Sequence, residues 1–121
     1  MANVAETMQR VIAPIAEDLV EVDKAVISDL QSDIPLIKKI SDYIVSAGGK
    51  RMRPVVLLLI ARALGCQNKD PVFLATMIEY VHTASLLHDD VVDESDLRRG
   101  KPTASLKWGN ASAILVGDFM Y

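Results

Sequence analysis

The sequence holds one cysteine, Cys66, among 121 residues. No internal disulfide can form, and a reducing cytoplasm fits that usage. Just after Leu64 and Gly65, the thiol reads as a small apolar filler. Aromatic residues make up only 5% of the chain, which disfavours a base-stacking surface. Net charge is −3, from 16 acids against 13 bases, and gives no general attraction to nucleic acid. Apolar runs are short: Val55 to Ala61 falls far below the length of a bilayer span. MANVAETMQR has an early acid and no apolar core, so no secretory signal is expected there.

Half of the residues are hydrophobic, 50%, enough for one domain with a modest core. Their period is helical. Val4, Met8, Val11, Ile12, Ile15, Leu19, Val22, Val26 and Leu30 recur in steps of three or four, apart from the adjacent pair Val11 and Ile12, which marks one helix face. Pro14 must kink that helix or begin its second part. Ser32 to Pro35 is a break. Leu36, Ile37, Ile40, Tyr43 and Ile44 form a second helix, ended by Gly48 and Gly49. A third is predicted over Pro54 to Leu64, with the proline in its first turn and Gly65 at its end. Asp70 is predicted to cap a long fourth helix over Pro71 to Glu94. Residues 100–109 read as loop, and Asn110 as the cap of a last helix over Ala111 to Met120. No alternation of period two persists, so the fold class is all-α. ILVGDFMY, residues 114–121, carries no stop signal, and the chain is expected to be the front part of a longer protein.

The fourth helix carries the chemistry. Positions seven and eleven apart on a helix nearly coincide in direction, so His82, Asp89 and Asp93 share one stripe, with Ser85 and Leu86 on the same side. Asp89 and Asp93 repel as bare anions one turn apart. A shared hard cation removes the repulsion. Mg2+ suits them, because it takes oxygen ligands, keeps several waters and completes its shell with phosphate. Arg98, Arg99 and Lys101 follow. Metal on one side and guanidinium on the other suits a diphosphate. Upstream, GGKRMRP sets Lys50, Arg51 and Arg53 between two helices. The glycines allow close backbone approach to an anion, and the next helix offers its positive end. Two anion sites, only one of them with carboxylates, point to two phosphorylated substrates.

Plainer readings exist for each part. DDVVDESD can be a solvated helix end, GGKRMRP an ordinary turn, His82 a satisfied core histidine, and Arg98 and Arg99 a cationic helix cap. An EF-hand loop is excluded, since its ligand spacing is absent. The conjunction of all the parts, in this order and on one face, favours the site.

GGKRMRP, then EYVHTASLLHDDVVDESDLRRGKPT, then GNASAILVGDF resemble the front of a long-chain trans-polyprenyl diphosphate synthase, nearest the octaprenyl type. The resemblance runs from about Gly48 to Tyr121. It implies an isoprenoid-synthase-type helical bundle, of which this chain holds only the N-terminal helices as part of a single domain. It implies a homodimer, Mg2+, and head-to-tail condensation of isopentenyl diphosphate with an allylic diphosphate. Residue by residue, Asp89 and Asp93 correspond to magnesium ligands, with Asp90 assisting. Arg98 corresponds to the residue that holds the allylic diphosphate. Lys50, Arg53, His82 and Arg99 correspond to those that hold isopentenyl diphosphate, while Arg51 matches the motif without an expected contact. Ala84 and Ser85 fall where product length is set. Both are small, which implies a product beyond fifteen carbons unless they serve only helix packing.

The family's second aspartate-rich motif is absent from these residues, and Asp118, a lone acid among apolar residues, cannot replace it. The isolated chain is therefore expected not to turn over. Two other readings compete: a non-catalytic helical subunit or interaction module, and a terpene cyclase. A cyclase takes one diphosphate and has no use for the Lys50–Arg53 turn. A module has no use for a full set of motif residues.

Overall fold

The computed structural model describes residues 3–121. The described residues form α1 (Val4–Ile12), α2 (Ala16–Ser28), α3 (Pro35–Ser46), α4 (Met52–Ala63), α5 (Asp70–Val92), β1 (Leu97–Arg98), β2 (Lys101–Pro102), α6 (Ala104–Trp108) and α7 (Asn110–Met120). The fold is all-α apart from the two-residue ribbon. No described helix is long and apolar enough to cross a membrane. Packing divides the chain into two compact units. One comprises the chain up to Ala25 together with Lys50–Glu79, and the other Val26–Gly49 together with Tyr80–Tyr121.

In the first unit, Pro14 acts as expected. It cannot donate an N–H to the helix ladder, and a 3-10 turn, Ala13–Ile15, separates α1 from α2. Ile15, Val22, Val55, Leu58 and Ala75 form the buried interior. α4 begins at Met52 rather than Pro54, because Arg51 takes a left-handed backbone (φ 54°) and turns the chain there. Pro54 still lies in the first turn, where its missing N–H costs nothing. α4 ends as predicted. The N–H of Gly65 reaches Arg62 O and that of Cys66 reaches Ala61 O, both at 3.0 Å, with Gly65 at φ 81°. This is a Schellman end, and glycine suits its left-handed position. Asp18, only 4% exposed, fixes the same region: the Arg62 guanidinium donates to it from two nitrogens, and the Arg62 Nη1 donates to Cys66 O at 2.8 Å. α5 begins at Asp70, so Asp70 is not its cap. The side chain of Asn68 instead accepts the Asp70 N–H at 3.1 Å.

In the second unit, Leu30, Ile40, Ala84, Leu87, Ala113, Val116 and Met120 pack into one cluster. The segment read as loop over 100–109 is more ordered than that. Arg99 (φ 52°) and Gly100 (φ 75°) both have positive φ, as a two-residue type I′ turn requires, and β1 pairs antiparallel with β2 across them. Thr103 then caps α6, its hydroxyl accepting the Leu106 N–H at 3.2 Å and donating to Ser95 O at 2.8 Å. Gly109, not Asn110, precedes α7. Gly117 is buried in the middle of α7, where glycine costs roughly 1 kcal/mol against alanine.

Candidate functional site

The acidic residues sit on the last turn of α5 and just beyond it. The Asp93 N–H still donates to Asp89 O at 2.8 Å, which keeps the two carboxylates one turn apart, about 6 Å along the axis. The helix then closes in a second Schellman end. Glu94 N–H reaches Val91 O at 3.3 Å, and Ser95 N–H reaches Asp90 O at 3.0 Å. The left-handed position here is Glu94, at φ 54°. A side chain in that conformation costs about 1 kcal/mol or more. The absence of a glycine stop is why the sequence extends this helix to Glu94, two residues past its actual end.

The three aspartates differ in surroundings. Asp89 and Asp93 are exposed, and neither side chain is recorded in a hydrogen bond or ion pair among the described residues. Asp90 is 6% exposed and is gripped by Arg98. The Arg98 Nε lies 2.9 Å from Oδ2 and its Nη2 lies 2.6 Å from Oδ1. This bidentate bond holds the guanidinium above its ordinary pKa, against the burial that lowers it, with the charges of Asp90, Asp89 and Asp93 adding to the rise. Arg98 thus stays cationic and offsets part of the repulsion among the carboxylates.

The ribbon aims both arginines. Tyr43 donates its hydroxyl to Pro102 O at 2.6 Å and holds the ribbon against α3. At the turn, Arg99 Nη1 donates to Gly48 O at 2.6 Å. Its guanidinium crosses Gly49 so closely that a Cβ there would lie 3.2 Å from Nη1. Gly49 therefore eases this close approach, and a Cβ there would press the guanidinium aside by a few tenths of an ångström.

The remaining expected residues are distributed as follows. Lys50 and Arg53 are exposed and belong to the first unit. Arg51 donates to Asp23 at 2.9 Å and lies 3.7 Å from Glu79, which anchors the turn within the first unit. His82 and Ser85 are half-buried on α5, and the Ser85 hydroxyl donates to Val81 O at 2.8 Å. Ala84 is fully enclosed in the core of the second unit. The structure thus brings Asp89, Asp90, Asp93 and Arg98 together and fastens Arg99 to the glycine turn. Sequence reasoning missed Tyr43 and Thr103 as supports of the ribbon. A threonine directly before Ala104 was the available signal for the second.

Among the described residues, the non-glycine positions with positive φ are Arg51, Glu94 and Arg99. All three lie in or beside the charged motifs, and strained backbone concentrates at functional sites. Among the described residues no three His, Cys, Asp or Glu side chains converge as a metal cage. Two unpaired carboxylates at one-turn spacing fit a different kind of cation site, one completed by water and phosphate.

This fold, with its long helix ending in paired carboxylates, places the chain among the all-α isoprenoid synthases. More narrowly, the polyprenyl synthetase family model matches residues 34–121, and the chain belongs to that family. It is 54% identical over 106 residues to the octaprenyl diphosphate synthase of Escherichia coli K12, covering 88% of this chain and 33% of that one. A decaprenyl diphosphate synthase from Rhodobacter capsulatus superposes with a TM-score of 0.87 at 44% identity, over 93% of this chain and 35% of that one. A polyprenyl synthase from Caulobacter crescentus, complexed with calcium and isoprenyl diphosphate, superposes at 0.88 with 43% identity, over 93% and 34%. The chain spans about a third of the length of the curated relatives it matches.

Proposed function

We propose that this chain supplies the first aspartate-rich motif of a Mg2+-dependent trans-polyprenyl diphosphate synthase. The reaction is head-to-tail condensation of isopentenyl diphosphate with an allylic diphosphate, giving a long-chain all-trans product. One observation carries the reading: Asp89 and Asp93 are exposed and, among the described residues, make no hydrogen bond or ion pair, while Asp90 between them is buried and committed to Arg98. Asp89 and Asp93 would hold Mg2+, which as a Lewis acid stabilises negative charge on a departing diphosphate. Asp90 serves through Arg98, fixing a cation on the allylic diphosphate. Lys50, Arg53, His82 and Arg99 hold isopentenyl diphosphate, with Arg99 set by its bond to Gly48.

Ser85 leaves the stripe below Asp89 open to a growing tail, and Ala84 contributes small volume from the core side. The names of the relatives, octaprenyl and decaprenyl synthases, support a product of that class. The α4–α5 groove of the first unit, about 910 Å³ and lined by Val56, Ile60, Leu74 and Ile78, is an apolar surface of the kind a hydrocarbon chain needs. The lone Cys66 accords with the cytoplasm, and the assembly is a homodimer.

Calorimetric titration with an allylic thiodiphosphate, with and without Mg2+, tests the reading. Binding should require the metal, and Asp89→Ala or Asp93→Ala should weaken it at least 100-fold (on the order of 3 kcal/mol). Metal-independent binding, or none, would leave an interaction module as the better account.

A further inference from the structure

Gly117 has ordinary helical backbone, so its φ does not call for glycine. The empty space above it is taken by the ring of His88. A Cβ on Gly117 would collide with His88 Nε2 and lie 2.6 Å from Cδ2. That ring makes three contacts with α7 and its end. Its Nε2 lies 3.2 Å from Ile114 O. A carbonyl only accepts, so Nε2 carries the proton in this bond. The same nitrogen lies 3.4 Å from Asp118 Oδ1. The ring of Tyr121 stacks on the imidazole, with centroids 6.3 Å apart and planes 15° apart.

We infer that His88 is a positioning residue for the carboxylates of α5, docked into a socket that Gly117 opens on α7. The inference rests on the metal role proposed for Asp89 and Asp93. His88 directly precedes Asp89 and points about 100° away from it, so it does not share the face of the metal ligands. It fixes the helix behind them. The last turn of α5 is thereby held at two places: Arg98 grips Asp90, and α7 grips His88. The helix backbone sets the spacing of the two carboxylates along the axis, and two carboxylates that share a cation with water and phosphate depend on support that holds this last turn in place. The imidazole turns on two torsions, so a methyl group at residue 117 displaces the ring rather than breaking α7.

The test measures the Mg2+ concentration needed for half-maximal binding of an allylic thiodiphosphate, alongside the melting temperature. His88→Gln keeps an N–H donor and should stay within about threefold of the unaltered chain. His88→Phe keeps the ring but loses the donor, and should need about tenfold more Mg2+ with little change in melting. Gly117→Ala should match His88→Phe. If Gly117→Ala unfolds the chain, the double variant His88→Ala with Gly117→Ala, which removes the ring the methyl meets, should fold and show the same metal defect. Unaltered Mg2+ dependence in His88→Phe, or equal defects in the Gln and Phe variants, would overturn the inference. If the unaltered chain itself shows no Mg2+-dependent binding, the proposed function fails first and this inference falls with it.

Discussion

The ends of α4 and α5 are built on one plan and put to different uses. Each closes with the same pair of reversed hydrogen bonds. Each has a buried aspartate held by two nitrogens of an arginine, Asp18 by Arg62 and Asp90 by Arg98. At α4 the left-handed position is Gly65, and the arginine also satisfies a carbonyl of the closing turn. That end is unstrained. At α5 the left-handed position is Glu94, and two exposed carboxylates flank the buried one. Strain and like charge that Arg98 only partly offsets accumulate at one end only. Stability alone explains the first end and does not explain the second, which points to a ligand that repays the cost.

The largest test of this contrast exchanges the two buried acids for their amides. Asp90→Asn should weaken Mg2+-dependent allylic diphosphate binding by roughly 10- to 100-fold, the usual effect of loosening a residue that orients a binding group. Asp18→Asn should lower stability and leave that binding within about twofold, close to the scatter of such measurements. Equal losses of binding in both would erase the distinction between the two ends.

Removing the arginines should reverse the order, with stability as the readout. Arg62→Ala leaves Asp18 buried, with Lys69 3.5 Å away as a remaining cation. The expected cost is about 2–3 kcal/mol in denaturant unfolding, below that of a wholly buried pair because Arg62 is 30% exposed. Arg98 is 40% exposed, so solvent screens its pair more, and Arg98→Ala should cost about 1–2 kcal/mol. A larger cost for Arg98 would make Asp90–Arg98 the main structural pair, and its proposed use in binding would lose support.

The α4 end was legible in the sequence because Gly65 announces it. At the α5 end the placement of the acids was legible, but not their partners. Asp89 and Asp93 could be placed on one stripe by helical period alone. That Asp90 turns inward to Arg98 could not, since the pairing depends on where the ribbon returns. The ribbon is hard to read from local sequence because Arg99 in a left-handed turn breaks the usual residue preference, and the bond from its guanidinium to Gly48 O joins positions far apart in the chain. The departures from local rules, Arg51, Glu94 and Arg99, fall on the charged motifs. The rest of the helical plan, from the Pro14 kink to the Gly65 stop, follows ordinary preferences and was read with errors of one or two residues.

The smallest effect is also the cleanest, because it isolates the backbone. An added Cβ at Gly65 would meet no atom within 4 Å, so Gly65→Ala probes only the left-handed conformation. It should cost about 1 kcal/mol. Glu94 is exposed, so Glu94→Gly removes no packing and should gain about 1 kcal/mol by the same reasoning. Denaturant midpoints of the two variants should therefore move in opposite directions by similar amounts. Binding decides what the strain is for. If Glu94 holds the end of α5 in the form that accepts metal and diphosphate, Glu94→Gly should be more stable yet bind several-fold more weakly, because glycine widens the set of conformations from which the binding form is drawn. A variant that gains stability and binds unchanged would show that the strain at Glu94 serves no purpose in the site, and the contrast between the two helix ends would then rest on Asp89 and Asp93 alone.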